Sequence, residues 1–265
     1  MIPKIIHFCW FGRKEYPSDV KSCIESWKKY CPNFELVLWN EDNFPISDFK
    51  FAKLAYEEKK YAFVADIARI YALSKMGGVY LDTDVEIIKP IDELLTLDSF
   101  IGFEDDKYIA GGIIASKKNG EFVRDILDIY SKLNTFDSRN ICPIIYSNYL
   151  EEKGVALNGK KQKFENMMIF SPEYFYPKNY HNGILNITNK TYAIHHYDAS
   201  WIENKTDFLN RQRKSRYLHY FSKAVKNCES RYEFIEEYKK QFNVSNKFLL
   251  LYSIKSIIRN ILKKL

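Results

Sequence analysis

The chain has 265 residues, which is enough to bury one sizeable core and too few for two full enzyme domains. Hydrophobic residues make up 46% and charged residues 28%, and the five cysteines form no Cys-x-x-Cys pair, so neither a disulfide framework nor a structural zinc site is indicated. The formal charge of +6 is not accompanied by a zinc-finger, helix-turn-helix or ribonucleoprotein signature, and a nucleic-acid partner is therefore not favoured.

The first third of the chain alternates between short apolar runs and helical patterns. A run rich in strand-forming residues, Lys4 to Trp10, precedes a helical stretch from Ser18 to Tyr30, and a second such run covers Phe34 to Trp39. A strand, a helix and a strand in this order predict the start of an α/β sheet. Helical spacing continues from Lys50 to Met76, where Gly77-Gly78 ends it as a left-handed cap would.

The following segment is richer in strands. Val79 to Ile88 is predicted to be extended, and Phe100 to Phe103 and Ile109 to Ala115 are predicted as further strands. A helix is expected over Glu121 to Leu133 and a late strand over Tyr192 to Tyr197. These elements predict one main α/β domain.

The two ends of the chain carry predictions about location. The N-terminus opens directly into the first strand without a secretory signal, which predicts a cytoplasmic protein. Phe248 to Leu265 is apolar at helical spacing, but lysine and arginine interrupt it too often for a membrane span. Two interpretations stay open for this segment: a helix lying in a membrane interface, or a helix packed on its own domain or on a partner.

An Asp-x-Asp pair stands where an apolar strand is expected to end, in the run Leu81-Asp82-Thr83-Asp84-Val85. Side chains two apart on extended backbone point to the same face, so both carboxylates are expected to converge on one cation. Hard oxygen ligands suit Mg²⁺ or Mn²⁺, which can bridge the two phosphates of a nucleotide diphosphate. Alone the pair is a weak signal, because such pairs are frequent on solvated loops.

Three separated motifs add a family resemblance. The run Ala65 to Leu73 followed by Gly77 to Asp84 resembles the signature of glycosyltransferase family 32, the sugar transferases with the Asp-x-Asp motif. The opening Ile2 to Gly12 resembles the first strand of that family, and Ala193 to Trp201 resembles its closing motif. The resemblance covers Ile2 to about Trp201 and gives no support for the chain beyond.

The resemblance implies a fold and an activity. The fold is an α/β, Rossmann-like nucleotide-sugar-binding domain of GT-A type at residues 1–202, followed by a C-terminal helical extension at 203–265. The activity is retaining transfer of a hexose from a nucleotide-diphosphate sugar, UDP-galactose or UDP-glucose, with Mn²⁺ or Mg²⁺. The acceptor would be a glycan or a lipid-linked saccharide in capsular polysaccharide or lipopolysaccharide synthesis, at the inner face of the cell membrane.

The metal is assigned to Asp82, Asp84 and His196. Of the two adjacent histidines, His196 is chosen because the family motif often places a histidine before an aromatic residue, and His195 is predicted to be structural. An imidazole beside two carboxylates favours Mn²⁺ over Ca²⁺. Ser200 and Trp201 follow the spacing at which the toxin relatives of the family contact the metal and the leaving phosphate, so both are assigned to catalysis with Asp84.

The donor is assigned to a second set of residues. Trp10 ends the first strand at the edge where α/β sheets bind nucleotides, so its ring is predicted to stack on the base. Asp66 and Arg69 share a helix face, and the resemblance places them against the donor together with Asp82. Gly111-Gly112 is interpreted either as a place of close backbone approach to the sugar or as a tight bend.

Two other protein classes use closely spaced aspartates. A phosphohydrolase of the haloacid-dehalogenase type normally has threonine two residues after its second aspartate, where this chain has Glu86. An EF-hand requires a glycine and a closing glutamate at fixed positions of its loop, and this chain has neither at that spacing. The remaining alternative is a non-catalytic nucleotide-sugar or carbohydrate-binding protein on the same fold. The residues assigned to leaving-group chemistry argue against that alternative.

Overall fold

The structure, a computed structural model, describes residues 1–135, 140–180 and 183–197. The predicted extension 203–265, with its apolar segment Phe248 to Leu265, lies outside the described residues. Within the described part of the chain, no helix is long and apolar enough to cross a membrane.

The elements follow each other in an α/β order. The first half contains β1 (Ile5–Cys9), α1 (Ser18–Tyr30), β2 (Glu35–Trp39), α2 (Lys50–Glu57), α3 (Tyr61–Met76), β3 (Gly78–Leu81) and β4 (Val85–Ile87). The second half contains β5 (Ser99–Phe103), β6 (Ile109–Ser116), α4 (Glu121–Lys132), α5 (Cys142–Glu152), β7 (Gln162–Phe164), β8 (Met167–Phe170) and β9 (Ala193–His195).

The main sheet has seven strands in the order β2-β1-β3-β6-β5-β8-β7. Strands β2, β1 and β3 are parallel, β6 is antiparallel to both of its neighbours, and β5 pairs in parallel with β8. Strands β4 and β9 leave this sheet and form a separate antiparallel pair. The predicted α/β fold is confirmed, with a Rossmann-like parallel part that ends beside the Asp-x-Asp pair.

Both faces of the main sheet are covered. Phe51 of α2, Ile67 of α3, Ile126 of α4 and Tyr146 of α5 belong to one buried cluster. On the other face Trp27 of α1, which is fully buried, donates from Nε1 to the carbonyl oxygen of Val85 at 2.7 Å. That bond fixes the start of β4 against α1, directly after the Asp-x-Asp pair.

The predicted helix from Lys50 to Met76 is two helices. The chain between them takes a left-handed conformation at Lys59, with φ of 59°, and the Lys60 amide donates back to the Ala55 carbonyl at 2.8 Å. Helical spacing continues on both sides of this turn, so the sequence pattern does not show the interruption.

The glycine pair after α3 is a point of close backbone approach. Gly77 and Gly78 both have positive φ, 69° and 114°. A Cβ on Gly78 would lie 2.7 Å from the carbonyl oxygen of Ile5 in β1. Only glycine allows the chain to leave α3 and enter β3 this close to β1, and this places the end of β3 at the carboxyl edge of the parallel strands.

Candidate metal and nucleotide-sugar site

The two carboxylates of the Asp-x-Asp pair stand on either side of a turn. β3 ends at Leu81, Asp82 still donates its amide to the Gly112 carbonyl at 2.8 Å, and Val85 then donates back to the Asp82 carbonyl at 3.0 Å. The prediction of one extended segment from Val79 to Ile88 is therefore wrong, because the chain passes from one sheet to the other here. The carboxylates converge through the turn and not along a strand.

The third group at this place is His195. Oxygen atoms of Asp82 and Asp84 and a ring nitrogen of His195 all lie within 4.8 Å of one another. His195 Nε2 is 3.1 Å from Asp84 Oδ1. The register of the small sheet explains the approach, since Val85, next to Asp84, pairs with His195 across the β4–β9 ladder.

The structure corrects the choice between the two histidines. His196 Nε2 is 2.9 Å from Glu86 Oε2, and its backbone amide donates to the Asp84 carbonyl at 2.9 Å. Neighbouring side chains along a strand point to opposite sides, so only one of the two rings can face the pair. That ring is His195, which the sequence assigned to a structural role; the pairing of β9 with β4, on which the choice depends, is not readable from local sequence.

The donor set suits a divalent cation. Two carboxylates and an imidazole are ligands for Mn²⁺, and Mg²⁺ accepts the carboxylates. Burial lowers the pKa of His195, but the charge and hydrogen bond of Asp84 and the charges of Asp82 and Glu104 outweigh burial and raise the pKa overall. The ring therefore lies in a field that attracts positive charge.

Gly112 leaves the space beside these groups open. A Cβ at this position would lie 3.2 Å from Asp82 Oδ2 and 3.5 Å from His195 Nε2. The facing register of β5 and β6 shifts between Ile101 and Phe103, so the glycine pair also lies in an irregular part of the sheet. The pair lies inside β6 and not in a tight bend, and its close approach to the sugar stays a prediction.

A methyl group at Gly112 should disturb the cation site with little effect on folding. Gly112 has no positive φ, so alanine is allowed by the backbone, but its Cβ would push Asp82 Oδ2 by a few tenths of an ångström. We expect Gly112→Ala to weaken Mn²⁺ binding roughly tenfold, given that errors of about 1 Å cost about a hundredfold in such sites. Calorimetric titration and thermal melting measure the two quantities, and unchanged Mn²⁺ affinity would contradict the placement.

Arg69 is buried directly behind the Asp-x-Asp pair. Its Nη2 lies 3.0 Å from Asp66 Oδ1 and 3.2 Å from Asp82 Oδ1, and the side chain is 5% exposed. Burial lowers the pKa of Arg69, but the nearby Asp82, Tyr80, Cys142 and Asp66 raise it by more than burial lowers it. The guanidinium therefore stays charged. The ion pair predicted between Asp66 and Arg69 is present, and it extends to Asp82.

Asp66, inside α3, is a buried carboxylate that contacts the start of another helix, α5. Burial raises the pKa of Asp66 to about 6, although the Arg69 charge and the bonds from Cys142 lower it. The Cys142 amide, at the first residue of α5, donates to Asp66 Oδ2 at 3.3 Å. A helix N-terminus favours a negative charge at this place.

Trp10 follows β1 at the carboxyl edge of the parallel strands. Its ring is half-buried, packs edge-on against Tyr16 with centroids 5.2 Å apart, and donates from Nε1 to the Lys14 carbonyl at 2.6 Å. The ring is thus anchored at its edge and lies outside the fully buried core. Its role as a base platform stays a prediction.

Some site residues lie elsewhere or were missed. Ser200 and Trp201 fall outside the described residues. Tyr80 was not singled out, although it lies in β3 only two residues before Asp82, which directly follows that strand. Its hydroxyl donates to Asp82 Oδ1 at 2.8 Å. Cys142, which contacts both Asp66 and Arg69, carries no signal in the sequence around it.

The chain is similar to known sugar transferases. It is 29% identical over 133 residues to inositol phosphoceramide mannosyltransferase 3 of Schizosaccharomyces pombe, covering 48% of this chain and 36% of the relative. It is 27% identical to the uncharacterized glycosyltransferase L373 of Acanthamoeba polyphaga mimivirus, covering 69% and 76%. Lactosylceramide 4-alpha-galactosyltransferase of Mus musculus is 25% identical, with 66% and 53% covered. The chain thus spans about a third to three quarters of these relatives.

One family matches the part of the chain that forms the site. Residues 17–101 match the family described as the glycosyltransferase sugar-binding region containing the DXD motif. This stretch includes α3 with its buried ion pair, the glycine pair and the turn between β3 and β4. Over residues 17–101 the chain is therefore similar to glycosyltransferase sugar-binding regions, with Asp82 and Asp84 as the Asp-x-Asp pair.

Proposed function

We propose that this chain is a metal-dependent, retaining glycosyltransferase that moves a hexose from a nucleotide-diphosphate sugar to a glycan or lipid-linked saccharide. The observation that carries the proposal is the convergence of Asp82, Asp84 and His195 within 4.8 Å, at the carboxyl edge of three parallel strands. Ligands of open α/β sheets bind at this edge.

The carboxylates and the imidazole give the site its chemistry. They would hold Mn²⁺ or Mg²⁺, which when bound acts as a Lewis acid on the leaving diphosphate. Asp82 directly follows β3 of the main sheet, Asp84 directly precedes β4, and His195 ends β9, so groups next to both sheets would orient the diphosphate. Ser200 and Trp201 are proposed, by resemblance alone, to contact the metal and the leaving phosphate.

The donor would extend along the sheet edge from this centre. The half-buried Trp10 ring is proposed to stack on the base, and the open backbone at Gly111-Gly112 would border the sugar together with Asp66 and Asp82. Transfer with retention requires departure of the diphosphate and attack by the acceptor on the same sugar face. We propose UDP-galactose or UDP-glucose as the donor, supported by the similarity to a galactosyltransferase; the mannosyltransferase relative makes mannose the first competing sugar to test.

The acceptor and the location form a separate part of the proposal. A capsular polysaccharide or lipopolysaccharide precursor on a lipid carrier, at the cytoplasmic face of the membrane, would suit the basic and apolar segment Phe248 to Leu265. The two relatives named for lipid acceptors, inositol phosphoceramide and lactosylceramide, favour a lipid-linked saccharide.

A panel of nucleotide sugars tests the reaction. Each donor is incubated with the protein, with Mn²⁺ or with a chelator, and release of the nucleoside diphosphate is measured. We expect hydrolysis of one or a few donors that stops in chelator. Binding of a nucleotide sugar without turnover, for every donor and acceptor tried, would favour the non-catalytic alternative.

Removing the Trp10 ring should weaken nucleotide binding and leave the cation site intact. Stacking of a base on an aromatic side chain is worth about 1–3 kcal/mol, so Trp10→Ala should raise the dissociation constant for UDP about fivefold or more. Calorimetry with UDP at saturating Mn²⁺ measures this, and Mn²⁺ binding itself should not change. An unchanged UDP affinity in a folded variant would limit Trp10 to packing against Tyr16.

A further inference from the structure

All three nitrogens of the Arg69 guanidinium contact groups of the protein. Nε donates to the Ala65 carbonyl at 3.2 Å, and Nη1 donates to the Gly111 carbonyl at 2.9 Å and to Cys142 Sγ at 3.3 Å. Nη2 forms ion pairs with Asp66 Oδ1 at 3.0 Å and with Asp82 Oδ1 at 3.2 Å.

These contacts bear on the role of Arg69. Because the side chain is 5% exposed, water does not replace a contact that is lost, and each buried group left unsatisfied costs about 1–3 kcal/mol. The ring of Tyr80 also covers one side of the guanidinium, with its centroid 4.9 Å from Cζ. The side chain is therefore built to act on its protein neighbours.

The neighbour that leads to the chemistry is Asp82. Arg69 Nη2 and the Tyr80 hydroxyl both engage the same oxygen, Oδ1, at 3.2 and 2.8 Å. The other oxygen, Oδ2, lies next to the open position at Gly112, close to His195 Nε2. The hydrogen bond and the ion pair on Oδ1 fix the rotation of the carboxylate and direct Oδ2 toward the cation site.

We propose that Arg69 and Tyr80 are positioning residues that hold Asp82 in the orientation needed for the cation. The proposal rests on the metal-dependent function proposed above. Asp66 and Cys142 complete the arrangement, because both contact Arg69 and join it to the start of α5.

Stability alone does not account for this arrangement. A buried ion pair is often no more stabilising than well-packed apolar side chains of the same volume, because both charges must leave water. Here one arginine is buried between two aspartates, and one of these borders the cation site. A positioning role accounts for the contact of both Arg69 and Tyr80 with one oxygen of Asp82 as well as for the buried charges.

Two variants that keep the formal charge test the proposal. Arg69→Lys retains the positive charge and loses the planar fork, and Tyr80→Phe removes only the hydroxyl. Mn²⁺ binding is measured from the electron paramagnetic resonance of free Mn²⁺, without donor, and UDP affinity is measured at saturating Mn²⁺. We expect each variant to lose about tenfold or more in Mn²⁺ affinity, as found for residues that orient metal ligands, with UDP affinity unchanged once Mn²⁺ is saturating.

The double variant and a matched control complete the experiment. Because both residues act on one oxygen atom, the combined loss should be smaller than the product of the single losses. Tyr149→Phe is the control, since it removes a tyrosine–carboxylate bond of the same length, 2.8 Å to Asp125, on α4 and α5 away from the site. It should leave Mn²⁺ binding as in the wild type.

The contrary outcomes are distinct. Unchanged Mn²⁺ affinity with weakened UDP binding would overturn the proposal and make Arg69 a donor contact. A lower melting temperature with unchanged Mn²⁺ affinity would overturn it in favour of a purely structural role. If Arg69→Lys does not fold, Tyr80→Phe alone decides. A wild type that takes up no Mn²⁺ would overturn the proposed metal dependence itself, which is a different result from variants that match a Mn²⁺-binding wild type.

Discussion

Asp84→Asn is expected to abolish both sugar transfer and donor hydrolysis while the fold is retained. The change removes one carboxylate charge from the proposed cation site with almost no change in side-chain volume. A cation that neutralises the leaving diphosphate contributes several kcal/mol, and about 1.4 kcal/mol corresponds to a tenfold rate change, so we expect a loss of roughly a thousandfold or more. Asparagine also replaces the charged partner of His195 Nε2, 3.1 Å away in the wild type.

The measurement is donor hydrolysis with and without added Mn²⁺, for the wild type, Asp84→Asn and Asp48→Asn. Asp48 is an exposed aspartate in a short 3₁₀ turn, outside every motif of the site, so its variant controls for the loss of one surface charge. Wild-type turnover that persists in chelator, or an Asp84→Asn protein as active as the control, would refute the metal-dependent assignment.

His195→Ala is expected to have the second largest effect, and His196→Ala a much smaller one. Residues that only orient a metal ligand cost about 10–100-fold in metal affinity when lost, so a direct ligand should cost at least about a hundredfold. His196 faces Glu86, and its loss removes a contact between half-exposed side chains.

The two adjacent histidines make each variant the control of the other. Mn²⁺ affinity and donor hydrolysis are measured on both proteins, together with thermal melting. If His196→Ala loses more Mn²⁺ affinity than His195→Ala, the assignment made from the sequence motif is right and the geometry of the β4–β9 ladder does not represent the metal-bound state.

The elements with strong local periodicity were predictable. Helix α1 has the predicted bounds, Ser18 to Tyr30, and the edges of β1, β2, β5, β6 and α4 differ from the prediction by one residue. Helix α5 was not predicted, because it is buried on several sides and shows little amphipathic spacing. Strands β7 and β8 were also missed, since three or four residues are too few for a pattern to be recognised.

The candidate site was predictable in its parts and not in its assembly. Asp82, Asp84, Asp66 and Arg69 stand in local motifs. The structure brings Asp66 and Asp82 together at the Arg69 guanidinium and places Asp84 beside His195. The choice between His195 and His196 depends on the pairing of β9 with β4, and pairing between positions about a hundred residues apart leaves no trace in a single sequence. Tyr80 is different, because it lies only two residues before Asp82 and local spacing is enough to identify it.

The departure of β4 from the main sheet gives a bound cation a mechanical role. Asp82 remains hydrogen-bonded to β6, whereas His195 belongs to the β4–β9 ladder and the Asp84 carbonyl accepts from the next residue, His196. A cation held by all three would therefore act as a cross-link between two independently hydrogen-bonded layers. By mass action, a ligand at a hundred times its dissociation constant adds about 2.7 kcal/mol to the state that binds it. Binding of the cation would thus stabilise the contact between the two sheets, and separation of the sheets would lower the affinity for the cation.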